Sequence, residues 1–198
     1  KSNFDGLESV PDRIVANGPA YFNELLDRGV PGNRLCIGGA FRFSTEVPKL
    51  YNPNGPILFP LSGIRAVAQH QLEAGKMLAL KGYRILVKEH PMYPVSFNEV
   101  PNLVRTEKTL LRQKSLSAVV YCSGTSGLEA RLAGVPAFRL LLEDRISIDV
   151  LPESISNTAA AVNDLEKYIN TCINPDPVPW ASVLAPVNWS WWLEAFSD

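Results

Sequence analysis

From Pro56 onward the chain alternates short unbroken apolar runs with longer stretches in which apolar residues recur every three or four positions. "PILFPLS", "YRILVKEHP", "NLVR", "LSAVVYCS" and "AFRLLL" read as strands. "GIRAVAQHQLEAGKMLALKG" carries Ile64, Val67, Ala68, Gln71, Leu72, Gly75 and Leu78 or Ala79 on one helical face and closes at Gly82. "SGLEARLAG" reads as a helix ending at Gly134 with Pro136 beyond it, and "VNDLEKYINTCI" as a helix with Val162, Leu165, Ile169 and Cys172 inward. Thr106 is placed to cap a brief helix, "EKTLLRQ".

The same rhythm opens the chain. "RIVANG" reads as a strand, "PAYFNELLDRG" as a helix with Phe22, Leu25 and Leu26 on one face and Gly29 as its stop, and "RLCIGG" as a second strand. "VPKLYNPNGP" is a linker, marked by its prolines and Asn-Gly. A proline-rich bridge, "NPDPVPW", leads to a tryptophan-rich end.

Continuous apolar strands alternating with helices imply a parallel sheet covered on both faces: an α/β, doubly wound, Rossmann-like domain. Three regions are expected: residues 1–54, residues 55–174 with the sheet, and a closing segment, 175–198. In such sheets ligands lie outside the carboxyl ends of the strands. That singles out Ser62 to Arg65, Lys88 to Pro91, Ser123 to Ser126 and Glu143 to Arg145.

Composition narrows the function. The chain has 198 residues, 46% hydrophobic and 20% charged, with a formal net charge of -1. That balance gives no basic surface for nucleic acid, and the two arginines of "RLCIGGAFRFS" read as a solvated edge. Cys36, Cys122 and Cys172 lie far apart, which fits neither a disulfide framework nor a C-x-x-C zinc site and points to a reducing cytosol. No apolar run reaches the ~18 residues of a membrane span. No signal peptide is apparent. The first residue is Lys1, and the chain reads as a piece of a longer protein.

Two stretches carry candidate chemistry. "SGTSGLEA" follows a strand and opens a helix. Its small residues let a ligand approach the backbone, its hydroxyls at Ser123, Thr125 and Ser126 add donors, and the helix start offers N–H groups to a phosphate. A second reading stands beside this one. Ser126 and Glu129 have the S-x-x-E spacing of a capping box and can satisfy each other's backbone donors with no ligand at all. There is no G-x-G-x-x-G and no Walker lysine, so neither a dinucleotide site nor an ATPase is supported. In "VKEHP", Lys88 and His90 fall on one side of a strand end by the period of two, placed to hold phosphate oxygens; they can equally be an exposed lysine and a histidine bonded to a loop carbonyl.

Together, "ILVKEHP" and, about thirty residues later, "AVVYCSGTSGLEARLAGVPAFRL" resemble the carboxy-terminal half of GT-B glycosyltransferases. The likeness is greatest to the bacterial surface-polysaccharide group, which includes capsule and lipopolysaccharide Kdo transferases and CDP-glycerol polymerases. Those proteins carry a K-x-H-P strand end, a Ser/Thr-rich turn, a glutamate and an A-x-x-x-G-x-P stretch, here Ala130 to Pro136. "PDRIVANGPAYFNELLDRGVPGNRLCIGGAFR" resembles the last unit of their amino-terminal domain running into the interdomain linker.

The resemblance implies a nucleotide-sugar donor bound by Lys88 and His90 at its phosphate or base. Ser123, Gly124, Thr125 and Ser126 would hold the phosphate, Glu129 the ribose hydroxyls, and Ser62 and Gly63 would line the same crevice. Cys122 stands where some retaining families carry a second glutamate, which sets this chain apart from that subclass. No catalytic base is assigned, because in this fold it usually comes from the amino-terminal domain, which is missing here. No D-x-D element stands in a convincing place, so no metal and no cofactor beyond the donor are expected. The acceptor would be a glycan or a lipid-linked glycan, and the location the cytoplasm or, as a peripheral protein, the inner face of the membrane. "WSWWLEAFSD" would be the closing helix, with Trp189, Trp191 and Trp192 as packing residues. Two other readings are a non-hydrolysing sugar-nucleotide 2-epimerase, which shares the architecture but calls for more carboxylates and histidines, and a nucleotide-binding module of a larger synthase without catalysis.

Overall fold

The computed structural model describes residues 9–142, 149–171 and 177–195. They fall into two compact units, one of residues 9–46, 152–154 and 178–195, the other of residues 47–142, 149–151, 155–171 and 177.

In the first unit, β1 (Ile14–Ala16) and β2 (Leu35–Ile37) pair in parallel, with Ile14 opposite Leu35, and α1 (Pro19–Asp27) joins them. Pro19 supplies the preset φ of a first helical residue, and Gly29, at φ 93, ends the helix as its sequence implies. Phe22 and Leu25 are half-buried, but Leu26 is exposed, so the inward face of α1 is narrower than its spacing suggests. The carboxy-terminal segment is stitched to these strands. Ala185 N–H donates to Asn17 O at 3.0 Å, Ala40 N–H to Ala185 O at 2.9 Å and Asn188 N–H to Gly38 O at 3.1 Å. Two short helices follow, α5 (Trp180–Val183) and α6 (Trp189–Ala195), the latter capped by Asn188, whose Oδ1 accepts from Trp191 N–H at 3.1 Å. Trp192 donates its Nε1–H to Gly38 O at 3.0 Å and packs with Trp191 and Phe41, and Trp189 meets Phe41 edge to face at 5.5 Å while its other side stays in water.

The second unit is a six-stranded sheet in the order β5-β4-β3-β6-β7-β8, with every pair parallel. Its strands are β3 (Ile57–Pro60), β4 (Ile85–Lys88), β5 (Leu103–Arg105), β6 (Ala118–Tyr121), β7 (Ala137–Leu140) and β8 (Thr158–Ala160). Counted from β3, this is the doubly wound order, with a reversal between β3 and β6. One sheet face carries Phe59, Val87, Val120 and Phe138 and buries them against α2 (Arg65–Leu80) and Leu165 of α4 (Leu165–Thr171). Val162 and Ile169 pack against the same core, as their spacing implies; Cys172 and the stretch Glu143 to Arg145 lie outside the described residues. The alternate positions, including Leu58, Val119 and Tyr121, are buried on the other face, where α3 (Ser126–Leu132) lies along β6 and β7. That two-sided burial is why β3 and β6 read as unbroken apolar runs.

The apolar face of α2 is the predicted one with one correction. Val67, Ala68, Gln71, Leu72, Gly75, Leu78 and Ala79 are buried, but Ile64 precedes the helix and is 60% exposed. "EKTLLRQ" forms only a 3-10 turn at Leu110–Arg112 rather than an α-helix. Thr106 is not its cap: the hydroxyl accepts from Lys108 N–H and from Gln113 Nε2–H, both at 3.3 Å, and so closes a local turn that competes with the helix.

Candidate functional site

Three of the loops that sequence reasoning selects leave the carboxyl ends of β4, β3 and β6, which are neighbours in the sheet. The reversal of strand order falls between β3 and β6, the place in a doubly wound sheet beside which ligands bind, and the loops at Ser62 and Ser123 leave the two strands on either side of it.

The loop after β3 is fixed by Gln71, a fully buried residue of α2. Its Oε1 accepts from Ser62 N–H at 2.8 Å and its Nε2–H donates to Pro60 O at 3.1 Å. One side-chain amide thus replaces the sheet partners that this backbone loses as it leaves β3. Ser62 Oγ in turn accepts from Ile64 N–H at 3.2 Å, which sets the entry to α2. Gly63 lies under two rings. A Cβ at this position would be 3.3 Å from Tyr93 Cδ2 and 3.4 Å from both Cδ2 and Cε1 of His90.

His90 and Tyr93 bound a tight turn in which Tyr93 N–H donates to His90 O at 3.1 Å, with Pro91 as the residue that sets its φ. Met92 N–H donates to His90 Nδ1 at 3.3 Å. With Nδ1 accepting, the proton of the neutral ring belongs on Nε2, which becomes a donor. The structure thereby places His90 and Gly63 in contact. Lys88, two residues back, reaches the exposed carboxylate of Glu107 at 3.4 Å. Such a pair contributes little and exchanges readily for a better anion. Glu89, between them, pairs instead with Arg105 at 3.6 Å.

The turn after β6 departs from its predicted capping box. Thr125, not Ser126, is the N-cap residue, its side chain makes no capping bond, and Ser126 is already the first helical residue. The first helical bond runs from Glu129 N–H to Thr125 O at 3.0 Å, which leaves the N–H groups of Ser126, Gly127 and Leu128 without intrahelical acceptors. Ser126 and Glu129 are therefore one step too far into α3 for the reciprocal arrangement, and Glu129 lies half-buried on its first turn.

The glycines of this turn have causes within the chain. Gly124 has φ 95, a left-handed conformation that glycine adopts without strain. Gly127 lies so close to Tyr121 that a Cβ there would be 2.4 Å from Cζ and 2.6 Å from the hydroxyl. Close approach of a ligand is thus not needed to explain either glycine, and the weight of the reading shifts to the hydroxyls of Ser123, Thr125 and Ser126.

Beneath the turn is a polar group that sequence reasoning missed. Tyr121, fully buried at the end of β6, accepts from Asn157 Nδ2–H at 2.9 Å and donates to the carboxylate of Asp149 at 3.3 Å. Asp149 pairs with Arg139 at 3.6 Å. Burial, with Asp149 adding to it, pushes the phenol up to about 12. Within the apolar run "AVVYC" only the hydroxyl that Tyr121 carries could have signalled this cluster. Cys122 is buried in the sheet core, and burial raises its thiol to about 12, so it stays protonated and is neither nucleophile nor base. Among the described residues no group of three or more His, Cys, Asp or Glu is placed to hold a metal ion, and no helix is long and apolar enough to cross a membrane.

No protein-family model and no curated protein matches the chain. Among solved structures it is similar to the glycotransferase of kitacinnamycin, with 15% identity and a TM-score of 0.48 over 87% of this chain and 46% of that one. It is similar to TarM, with 13% identity and a TM-score of 0.47 over 87% of this chain and 38% of that one. It is also similar to UDP-N-acetylglucosamine 2-epimerase from Rickettsia bellii, with 15% identity and a TM-score of 0.43 over 66% of this chain and 42% of that one. The chain spans less than half the length of each of these, and its α/β assignment rests on its own parallel strand order.

Proposed function

We propose that the sheet-bearing unit binds a nucleotide-activated sugar and that the chain is the donor-binding part of a metal-independent glycosyltransferase. The observation that carries this reading is the convergence of the Ser62–Gly63 loop, the Lys88–His90 strand end and the Ser123–Ser126 turn on the carboxyl ends of β4, β3 and β6, astride the reversal of strand order. The motifs "VKEHP" and "SGTSGLEARLAGVP" support the same reading through their likeness to surface-polysaccharide transferases.

On this reading His90 donates from Nε2 to a phosphate oxygen, and Lys88 exchanges Glu107 for the same phosphate. Ser123, Thr125 and Ser126 add hydroxyl donors from the other side of β3, and Glu129 accepts from the ribose. During transfer an acceptor hydroxyl attacks the anomeric carbon, the bond from that carbon to the phosphate oxygen breaks, and the nucleoside phosphate leaves with the negative charge. Fixed donors at that oxygen stabilise the charge as it develops. The base that takes the acceptor's proton belongs to an amino-terminal domain of a longer protein. The product is a bacterial surface polysaccharide, made at the cytoplasmic side of the membrane.

Titration of the chain with CMP, CDP, UDP and GDP and their sugar conjugates tests the first half of this reading. Weak binding by at least one and no transfer by the chain alone are expected. With the full-length protein and labelled donor, label should pass to a glycan acceptor in the presence of a chelator. No binding by any of the panel, or release of an epimerised free sugar in place of transfer, would overturn the assignment.

A further inference from the structure

We infer that Tyr93 is a stacking platform for the nucleobase of the donor, a role that rests on the donor-site reading above. Three large apolar side chains of the loops after β3 and β4 stand in water: Ile64 is 60% exposed, Met92 72% and Tyr93 54%, and of these Tyr93 lies against Gly63. A single exposed apolar residue is ordinary, but three in two loops that leave the carboxyl ends of neighbouring strands form a surface that lacks a cover. Tyr93 is also held in place. Its N–H is bonded to His90 O, Pro91 fixes the turn, and Gly63 admits the ring edge to within 3.3 Å of where a Cβ would lie. The rings of Tyr93 and His90 are 5.6 Å apart and inclined by 30°, so they are closer to parallel than to an edge-to-face pair.

The occupant is a planar heteroaromatic ring carried by a phosphate. Tyr93 follows β4, and the hydroxyl turn follows β6, with β3 between them. Two strand spacings of about 4.8 Å put the two loops roughly 10 Å apart, a span that a nucleoside diphosphate bridges from base to terminal phosphate. Stacking on a ring face accepts any base, so Tyr93 supplies affinity, not discrimination among bases. Because the ring is largely in water and outside the sheet core, its removal should leave the fold intact.

Calorimetric titration of the chain, Tyr93→Ala and Tyr93→Phe with UDP, CDP, GDP and ADP, and with pyrophosphate and ribose 5-phosphate, tests this. Tyr93→Ala should weaken the tightest nucleoside diphosphate by about tenfold or more, as loss of one base stack implies. Tyr93→Phe should bind as the unaltered chain does, and pyrophosphate and ribose 5-phosphate should be indifferent to both changes. If the unaltered chain binds no nucleotide, the donor reading and this one fall together. If it binds nucleotide and Tyr93→Ala binds equally well, only the platform falls. Equal weakening of pyrophosphate or of ribose 5-phosphate would also overturn it.

Discussion

The phenol of Tyr121 occupies the space that a side chain at Gly127 would need: a Cβ there would be 2.4 Å from Cζ and 2.8 Å from Asn157 Nδ2. The strand end and the first turn of α3 are thus fitted to each other through a missing methyl. Alanine is the better helix former by about 1 kcal/mol, so propensity alone predicts that Gly127→Ala stabilises. Steric conflict opposes this, and overpacking of a buried site costs about 1–3 kcal/mol. We expect a lower urea midpoint at unchanged slope. A raised midpoint would show that Tyr121 does not hold α3 in this way.

Gln71 gives a second expectation. Gln71→Leu keeps the volume and the apolar face of α2 but leaves Ser62 N–H and Pro60 O without their partners. Each unsatisfied buried group costs about 1–3 kcal/mol, so the loss of stability should exceed that of a surface change several-fold. Hydrogen exchange at the Ser62 amide should quicken more than at the Leu58 amide, deep in β3. Uniform quickening across the sheet would mean that Gln71 supports the core at large instead of the loop.

Alkaline pH should destabilise the second unit. Tyr121 rises from its ordinary 10.0 to about 12, and Cys122 from 9.0 to about 12. Below about pH 9 both groups keep their protons in either state, and their contribution is complete. Between that pH and about 12 the unfolded chain ionises while the folded chain does not, so the unfolded state binds fewer protons and stability falls as pH rises. Each group accounts for a few kcal/mol, because every tenfold gain in proton affinity on folding is worth about 1.4 kcal/mol. Urea unfolding at about pH 8 and about pH 11 measures the loss. Tyr121→Phe should make it smaller. A loss of the same size in Tyr121→Phe and in the unaltered protein would contradict this origin.

Much of the fold was legible because burial on both sheet faces writes itself as apolar runs. β3, β6 and the face of α2 are the plainest cases. β8 was not legible: "TAA" is three residues long, without a β-branched apolar position, and it is a strand only because β7 offers it an edge. Spacing found the loops at Ser62, His90 and Ser123, since it fixes where strands end. It did not give the start of α3, because Ser126 and Glu129 carry the letters of a capping box one position too late. It placed Gln71 on the inward face of α2 but did not give its bonds to Ser62 and Pro60, nor the Tyr121–Asp149–Asn157 group, because those partners are set by tertiary contact.

The hydroxyl turn can now be separated from helix capping. Thr125 makes no side-chain cap bond and Ser126 lies within the first turn, so alanine at either position should shift stability by only a few tenths of a kcal/mol rather than the ~1 kcal/mol of a lost cap. Urea unfolding of Thr125→Ala and Ser126→Ala measures this directly. A loss near 1 kcal/mol in Ser126→Ala would restore the capping box and remove a reason to look for a ligand.

The donor site is tested most sharply by calorimetric titration of the chain, Thr125→Ala and His90→Ala with the nucleotide it binds best. The two positions leave β6 and β4, on either side of β3, and share no side-chain bond. Each variant should keep the stability of the unaltered chain and lose about tenfold in affinity, near the ~1.5–3 kcal/mol of one hydrogen bond to a charged group. Nucleotide binding undiminished in both variants would contradict the donor-site reading and leave the turn as nothing more than the start of α3.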